Sequence, residues 1–224
     1  MPRRQQYADR MMLRARTFAT LSIVALGLGM AVPSADAQSK RIVIHDGGFE
    51  SATRFVENFR PGSVFEQWHV SGATVSLSNF SGLAHVGSGF VSLVEANRRN
   101  GDGSVAGTIC QRVTGLIPGE LAVVEVHLGS LYQTSLFRVS FGDISYGLVA
   151  VSGSAFGDVH YRTMSIGGLA NSDHARLCIS ATVPTTGAVF PLVDDIKGWA
   201  GGCFIGGSPH RIERRGPCGT TSRQ

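Results

Sequence analysis

Two short acidic motifs stand near opposite ends of the chain. One is D-G-G-F-E at Asp46–Glu50, and the other is V-D-D-I at Val193–Ile196. The first and last strands of a β-sandwich often lie side by side, so we predict that Glu50 and Asp194 approach each other in the fold. Two neighbouring carboxylates either repel each other or share a hard cation such as Ca²⁺. This pairing favours a binding module over an enzyme.

Other residues that could perform catalysis form no recognisable set. The seven histidines stand singly, without the H-E-x-x-H spacing of metal sites, and we interpret His127 as a satisfied histidine of the core. Glu95 and Glu125 could form a glycosidase pair only if the fold brought them to one cleft. The sequence contains no G-x-S-x-G motif. A glycoside hydrolase or esterase is therefore the least favoured function.

The four cysteines form an even set, as expected for an oxidising compartment. Four cysteines allow three pairings. We favour Cys110–Cys178, which would tie two strands, and Cys203–Cys218, which would close a loop near the end of the chain. The chain lacks C-x-x-C spacing, which makes a metal site less favoured, and free thiols remain the alternative.

The start of the chain predicts export. Arg14 and Arg16 precede an apolar run over 18–32, and a small-x-small motif ends at Ala37. The apolar run is shorter than the ~20 residues that a spanning helix needs. We therefore predict a signal peptide over 1–37, a secreted or periplasmic product, and no transmembrane segment in the mature chain.

The basic character of the chain belongs to its two ends. The sequence has 20 Lys+Arg and 16 Asp+Glu, but residues 38–198 alone have 11 basic and 13 acidic side chains. A near-neutral body lacks the basic patch that binds nucleic acid. We therefore predict no nucleic-acid partner.

Residues 38–198 are predicted to form one domain built from strands. Apolar and polar residues alternate there with period two, which is typical of half-buried strands. The alternating stretches are Thr74–Ser78, Phe90–Val94, Ile109–Val113, Leu136–Phe141 and Arg176–Ser180. Leu121–Leu131 is longer and more apolar, which predicts a central strand. Without any βαβ rhythm, this pattern favours an all-β, antiparallel β-sandwich.

Two stretches depart from this pattern. Ser51–Arg60 is the one place where the sequence allows a helical turn or two. Residues 199–224 are rich in Gly and Arg, contain two cysteines and lack alternation, which predicts a loose tail.

Several motifs in order resemble a known family. They are D-G-G-F-E, Trp68 within E-Q-W-H-V-S-G, Gly89–Leu93, Cys110–Gly119 and Pro191–Ile196. The set resembles galactose-binding-like jelly rolls, especially secreted DUF642-type domains and related carbohydrate-binding modules, and it covers Ile42 to Lys197. The sequence differs at Asp46, where the family has Asn, and after Gly119, where the family has an aromatic residue in the next strand. The resemblance implies a jelly-roll fold and a carbohydrate ligand.

The resemblance also implies a structural Ca²⁺ site. Glu50 and Asp194 match the carboxylates that hold the ion in such modules, together with a backbone carbonyl near Gly48. Because side chains alternate along a strand, we expect Asp194 and Asp195 to point to opposite faces, so that one of them binds. The alternative is that these carboxylates only accept hydrogen bonds from a loop backbone.

The ligand is expected to contact aromatic and polar side chains in loops. Trp68 could stack on a sugar ring, but we interpret it as core packing, which is the usual role of the family's tryptophan. The candidate ligand-binding residues are Tyr132, Gln133, Tyr146, Asn97 and Arg98. Together with these residues, the resemblance implies a non-catalytic secreted protein whose partner is a polysaccharide or glycan. The alternative is a structural or adhesive surface protein that binds another protein.

Overall fold

Strands account for all the regular secondary structure in the described part of the chain. The computed structural model describes residues 40–95, 106–183, 188–201, 203–206 and 212–215, the last two ranges as backbone only. The strands are β1 (Lys40–Arg41), β2 (Val56–Phe59), β3 (Val64–Phe65), β4 (Trp68–Ser71), β5 (Val75–Asn79), β6 (Gly89–Ser92), β7 (Thr108–Thr114), β8 (Leu121–Leu131), β9 (Ser135–Phe141), β10 (Ile144–Ser145), β11 (Val149–Val151), β12 (Arg162–Leu169), β13 (His174–Thr182), β14 (Phe190–Ala200), β15 (Cys203–Gly206) and β16 (Ile212–Arg215).

These strands form two antiparallel sheets. Sheet A has the order β12-β8-β14-β6-β5-β2, with β1 also paired to β14. Sheet B has the order β10-β9-β13-β7-β4-β3, with β11 also paired to β9. The prediction of an all-β antiparallel sandwich of the jelly-roll type is confirmed. Within the described residues, no helix is long and apolar enough to cross a bilayer.

The opening and closing segments of the domain are neighbours, as predicted. Lys40 pairs with Ala200 in the β1–β14 ladder. Farther along, the backbone N–H of Ile196 donates to the carbonyl oxygen of Gly47 at 2.8 Å. A Cβ atom on Gly47 would lie 2.3 Å from that strand's Ile196 oxygen, so only glycine allows this approach.

The main core lies between the two sheets. Trp68 and Phe49 are fully buried there, with ring centroids 5.7 Å apart. The indole N–H of Trp68 donates to the carbonyl oxygen of His45 at 3.1 Å, which satisfies the one polar group of this ring. The interpretation of Trp68 as core packing is confirmed.

A second, smaller apolar cluster covers the outer face of sheet A. Its buried members are Leu83, Phe90, Leu131 and Leu192. Loop residues pack over this face, and a Cβ on Gly129 of β8 would lie only 2.9 Å from Val159 and 3.1 Å from the Tyr161 ring. Strands β5 and β6, predicted to be half-buried, are therefore buried on both faces over most of their length.

Two regions differ from the sequence expectation. The suggested helical turns at Ser51–Arg60 are wrong, because β2 occupies Val56–Phe59 and pairs with β5. The chain beyond residue 198 also contains strands: β14 continues to Ala200, and β15 pairs with β16. This hairpin forms through backbone hydrogen bonds, which need no apolar alternation.

The predicted disulfide between Cys110 and Cys178 is confirmed. These residues face each other in the register of β7 and β13, with Cα atoms 4.1 Å apart. The bond therefore links two adjacent strands of sheet B. The other predicted pair, Cys203–Cys218, lies outside the residues whose side chains the structure describes.

We expect the double substitution Cys110→Ala/Cys178→Ala to lower the free energy of unfolding by about 2–4 kcal/mol, because a bond that closes a 68-residue loop restricts the unfolded chain. Urea denaturation would measure this loss. In reductant the variant and the native sequence should differ much less. An equal difference with and without reductant would show that the effect comes from packing and not from the cross-link.

Candidate functional site

An apolar cleft opens on the outer face of sheet A, beside the second apolar cluster. Its volume is about 210 Å³, and its walls come from β2, β5, β6, β8, β14 and four connecting segments. We call it the aromatic cleft, because six aromatic rings line it: Phe55, Phe80, Phe90, Tyr132, Phe156 and Phe190. It is the place where exposed aromatic side chains gather in the described part of the chain.

Five of the six rings of the aromatic cleft contact one another in two groups. Phe80 stacks against Phe156 with centroids 5.7 Å apart and meets Phe55 edge-on at 5.6 Å. Tyr132 meets Phe190 edge-on at 6.1 Å. Phe55, Tyr132 and Phe156 are 67%, 52% and 57% exposed. Side chains of this size are seldom left in water without a partner, so the cleft is suited to bind a ligand with flat apolar faces.

Two hydroxyl groups lie on the floor of the cleft. Ser92 donates to the carbonyl oxygen of Val94 at 3.0 Å. The hydroxyl group of Ser78, which is buried, makes no side-chain hydrogen bond to any described residue. A buried hydroxyl that lacks a partner costs free energy. It therefore provides a polar group to which a ligand hydroxyl could bind.

The backbone at the end of β8 fixes the position of Tyr132. This residue has φ = 65°, and its N–H donates to the carbonyl oxygen of Ser154 at 2.8 Å. Gly153 packs so closely that a Cβ atom there would lie 2.4 Å from the nitrogen of Gln133. The left-handed turn directs the ring out of the strand and into the cleft.

The structure separates the other predicted ligand residues. Gln133 follows Tyr132 in the same turn, and its carbonyl oxygen accepts a hydrogen bond from Ser130. Tyr146 lies between β10 and β11 and packs against the main core, so it does not join the residues that line the aromatic cleft. Asn97 and Arg98 lie outside the described residues. Their roles stay predictions.

Glu50 and Asp194 bind the same segment, residues 85–89. Asp194 Oδ2 accepts hydrogen bonds from the N–H groups of His85 at 2.7 Å and Val86 at 3.1 Å. Glu50 Oε1 accepts from the N–H groups of Ser88 at 3.0 Å and Gly89 at 3.2 Å. The two acidic motifs are thus connected through the loop between β5 and β6.

The expectation that Asp194 and Asp195 point to opposite faces is wrong. The register of β14 against β8 shifts between Asp194 and Lys197, and Asp195 has φ = 46°. Such a bulge breaks the alternation of side chains. As a result, Asp194 holds the backbone of His85, while Asp195 Oδ2 lies 3.6 Å from the ring nitrogen Nδ1 of the same residue.

The structure assigns His127 to a polar cluster and not to the apolar core. Its ring stacks on that of His85 with centroids 3.9 Å apart, and its Nδ1 lies 3.0 Å from the carbonyl oxygen of Asp195. Lys197 contacts the Asp195 carboxylate at 2.6 Å. Burial, and then the neighbouring His127, lower the pKa of His85. His127 is buried and satisfied, as expected, but within this cluster.

Burial also raises the pKa of two groups beneath the loop, Asp194 and Tyr161. It raises the pKa of Asp194 to about 6, against the opposing effect of the N–H donors of Val86, Asp195 and His85. The pKa of Tyr161 is raised by burial and, secondly, by the nearby Asp194. The hydroxyl group of Tyr161 therefore stays protonated and donates to the carbonyl oxygen of Leu83 at 2.8 Å.

Glu95 and Glu125 do not meet in one cleft. Leu93, two residues before Glu95, donates to the carbonyl oxygen of Pro191, whereas Glu125 faces Lys197 across the β8–β14 ladder. Pro191 and Lys197 are six residues apart on β14, which corresponds to roughly 20 Å at about 3.3 Å per residue. Glycosidase carboxylates lie within about 10 Å of each other. The geometry excludes this pair as a glycosidase site.

Sequence reasoning did not assign the five phenylalanines of the cleft or His85 to the site, although it placed Phe90 in a strand. Phe80 and Phe156 lie in loops, where no periodicity marks them, and Phe55 lies in the segment interpreted as a helical turn. Apart from Phe90, Phe190 is the one of these residues that strand periodicity could have placed. It is two positions from Leu192, so both side chains lie on the face of β14 that points away from the main core.

No protein-family model matches the sequence, and no curated protein matches it. The DUF642 resemblance therefore stays a prediction. Solved structures with related folds include a family 61 carbohydrate-binding module, TmCBM61, in complex with β-1,4-galactotriose (18% identity, 71% of this chain and 98% of that chain, TM-score 0.48). Another is a family 35 carbohydrate-binding module from Clostridium thermocellum (14% identity, 64% of this chain and 96% of that chain, TM-score 0.40). A third is the CBM22-1 xylan-binding domain of Paenibacillus barcinonensis Xyn10C (8% identity, 66% of this chain and 97% of that chain, TM-score 0.41).

The raised pKa of Asp194 gives stability a pH dependence. With divalent cations removed by a chelator, the native sequence should lose stability as the pH rises through about 6, because the folded state then carries a buried charge. The side chain of Asp194→Asn cannot ionise. The difference in Tm, variant minus native, should therefore be more positive at about pH 8 than at about pH 4. A Tm difference that does not change with pH would contradict this.

Proposed function

We propose that this chain is an exported, non-catalytic β-sandwich that binds carbohydrate in the aromatic cleft. The observation that carries the proposal is the exposure of Phe55, Tyr132 and Phe156 around one cleft with a hydroxyl group on its floor. Pyranose rings have flat C–H faces that stack on aromatic rings, while their hydroxyl groups need a few polar partners. The cleft offers both.

Export is supported by the Cys110–Cys178 disulfide. A cross-link of this kind is typical of proteins that fold in an oxidising compartment. Together with the signal-peptide pattern that ends at Ala37, it favours a secreted or periplasmic location. There, cell-wall or extracellular polysaccharides are available as ligands.

A protein partner is the second candidate. Most of the cleft lining is apolar, and Phe55 and Phe156 are phenyl rings without a polar group. Exposed apolar patches mark protein interfaces as well as ligand clefts. In that case an apolar side chain of the partner would occupy the cleft, and the protein would be a structural or adhesive surface protein.

Binding of soluble polysaccharides would distinguish these candidates. We expect isothermal titration against a panel of galactan, xylan, mannan and β-glucan to show binding to at least one. Tyr132→Ala and Phe156→Ala should each weaken it about tenfold, which corresponds to ~1.4 kcal/mol. The matched control is Leu169→Ala, an exposed apolar side chain outside the cleft. If Leu169→Ala weakens binding as much, or if no polysaccharide binds, the carbohydrate proposal fails.

The proposal includes a structural Ca²⁺ ion held by Glu50, Asp194 and the carbonyl oxygen of Gly48. The donor chemistry fits, since Ca²⁺ takes carboxylate and carbonyl oxygens. Asp194 is fully buried, and no ion pair with it occurs among the described residues. A cation there would balance its charge. When bound, the ion supplies a cross-link between the first and last segments of the domain.

Calcium binding would appear as a change in thermal stability. We expect chelation to lower the Tm and re-addition of Ca²⁺ alone to restore it, because the ion binds only the folded state. Glu50→Gln should abolish the response to Ca²⁺, and Glu57→Gln, another partly exposed glutamate, should keep it. A Tm that does not respond to chelation, or an unchanged response in Glu50→Gln, would show that Glu50 and Asp194 act only as hydrogen-bond acceptors.

A further inference from the structure

Three potential metal ligands meet beside the aromatic cleft. His85 comes from the loop after β5, His127 from β8 and Asp195 from the bulge of β14. One ligand atom from each lies within 4.8 Å of the other two. Both histidine Nδ1 atoms lie 3.6 Å from Asp195 Oδ2.

We propose that His85, His127 and Asp195 form a binding site for a divalent transition metal, with Zn²⁺ as the reference ion. Two imidazoles and one carboxylate are a ligand set that suits zinc and its neighbours, whereas Ca²⁺ and Mg²⁺ prefer oxygen ligands. Three protein ligands leave a fourth position open to water or to a ligand.

The surroundings prepare these groups for coordination. The backbone N–H of His85 donates to Asp194, which fixes the loop over the sheet. Nδ1 of His127 lies 3.0 Å from the carbonyl oxygen of Asp195, which keeps this ring beside the Asp195 bulge. His85 is about one-third exposed, which gives an ion access from solvent.

Lys197 is the group with which the metal competes. Its Nζ lies 2.6 Å from Asp195 Oδ2 and balances the charge of this mostly buried carboxylate. A bound dication would replace the ammonium group as the positive partner. Removal of Lys197 should therefore strengthen metal binding, whereas removal of any ligand should weaken it. These opposite signs separate a metal site from a network that is only an ion pair.

The site lies where a metal would stiffen the cleft. The loop that carries His85 also carries Leu83, which lines the aromatic cleft, and Tyr161 connects the two through its ring contact with His85 and its hydrogen bond to Leu83. A metal that joins His85 to β8 and β14 would hold this wall in place. The metal site itself does not depend on the proposed carbohydrate function.

Titration with Zn²⁺ tests the site directly. The full chain, without a polyhistidine tag, would be stripped with a chelator, dialysed and titrated with Zn²⁺ by calorimetry at about pH 7.5. We expect one zinc per chain. His85→Gln and His127→Gln should each weaken binding by at least tenfold, on the order of the loss seen for groups that support a ligand. Lys197→Met should strengthen it.

His160→Gln is the matched control, since His160 is a strongly exposed histidine whose ring lies near the carboxylate of Asp158 and away from the proposed ligands. It should leave zinc affinity unchanged, and added Ca²⁺ should not displace the zinc. His127 is buried, so its substitution could disturb folding, and circular dichroism would check that each variant folds. His85 is partly exposed, so His85→Gln tests the site without a change in core packing. Absence of zinc binding, equal affinity in His85→Gln, or weaker binding in Lys197→Met would overturn the proposal.

Discussion

The bulge in β14 is the constraint on which the outer face of sheet A depends. It gives Asp195 a left-handed backbone, so that two consecutive carboxylates reach the same loop instead of opposite faces. Asp194 then holds the backbone of residues 85 and 86, and Asp195 lies beside the ring of His85. The loop held in this way carries Leu83 into the lining of the aromatic cleft. The cleft therefore takes part of its shape from a local irregularity in one strand.

Much of the fold could be predicted, because its signals are local. Alternation identified β7, β9 and β13, the apolar run identified all of β8, and the two acidic motifs predicted that the ends of the domain are neighbours. The burial of β5 and β6 on both faces could not be predicted. Alternation reports which side chains differ in polarity, and it does not show that loops from elsewhere in the chain will cover the polar face.

The site was harder to predict, because its residues are distant in sequence. Tyr132 was found from its place after a long strand, but Phe80 and Phe156 meet through two loops that are about 75 residues apart. His85 and His127 form no short motif, since 42 positions separate them. The bulge at Asp195 has no sequence signal of its own. Contacts of this kind follow from strand order, which local patterns do not determine.

Tyr132 shows how the chain balances two requirements. A backbone with φ = 65° favours glycine, and a residue with a side chain costs about 1 kcal/mol more there. This turn nevertheless carries a large ring that is half open to water. Glycine at this position would relieve the backbone strain, whereas tyrosine lowers the stability of the fold. This cost has a physical reason if the ring contacts a bound ligand.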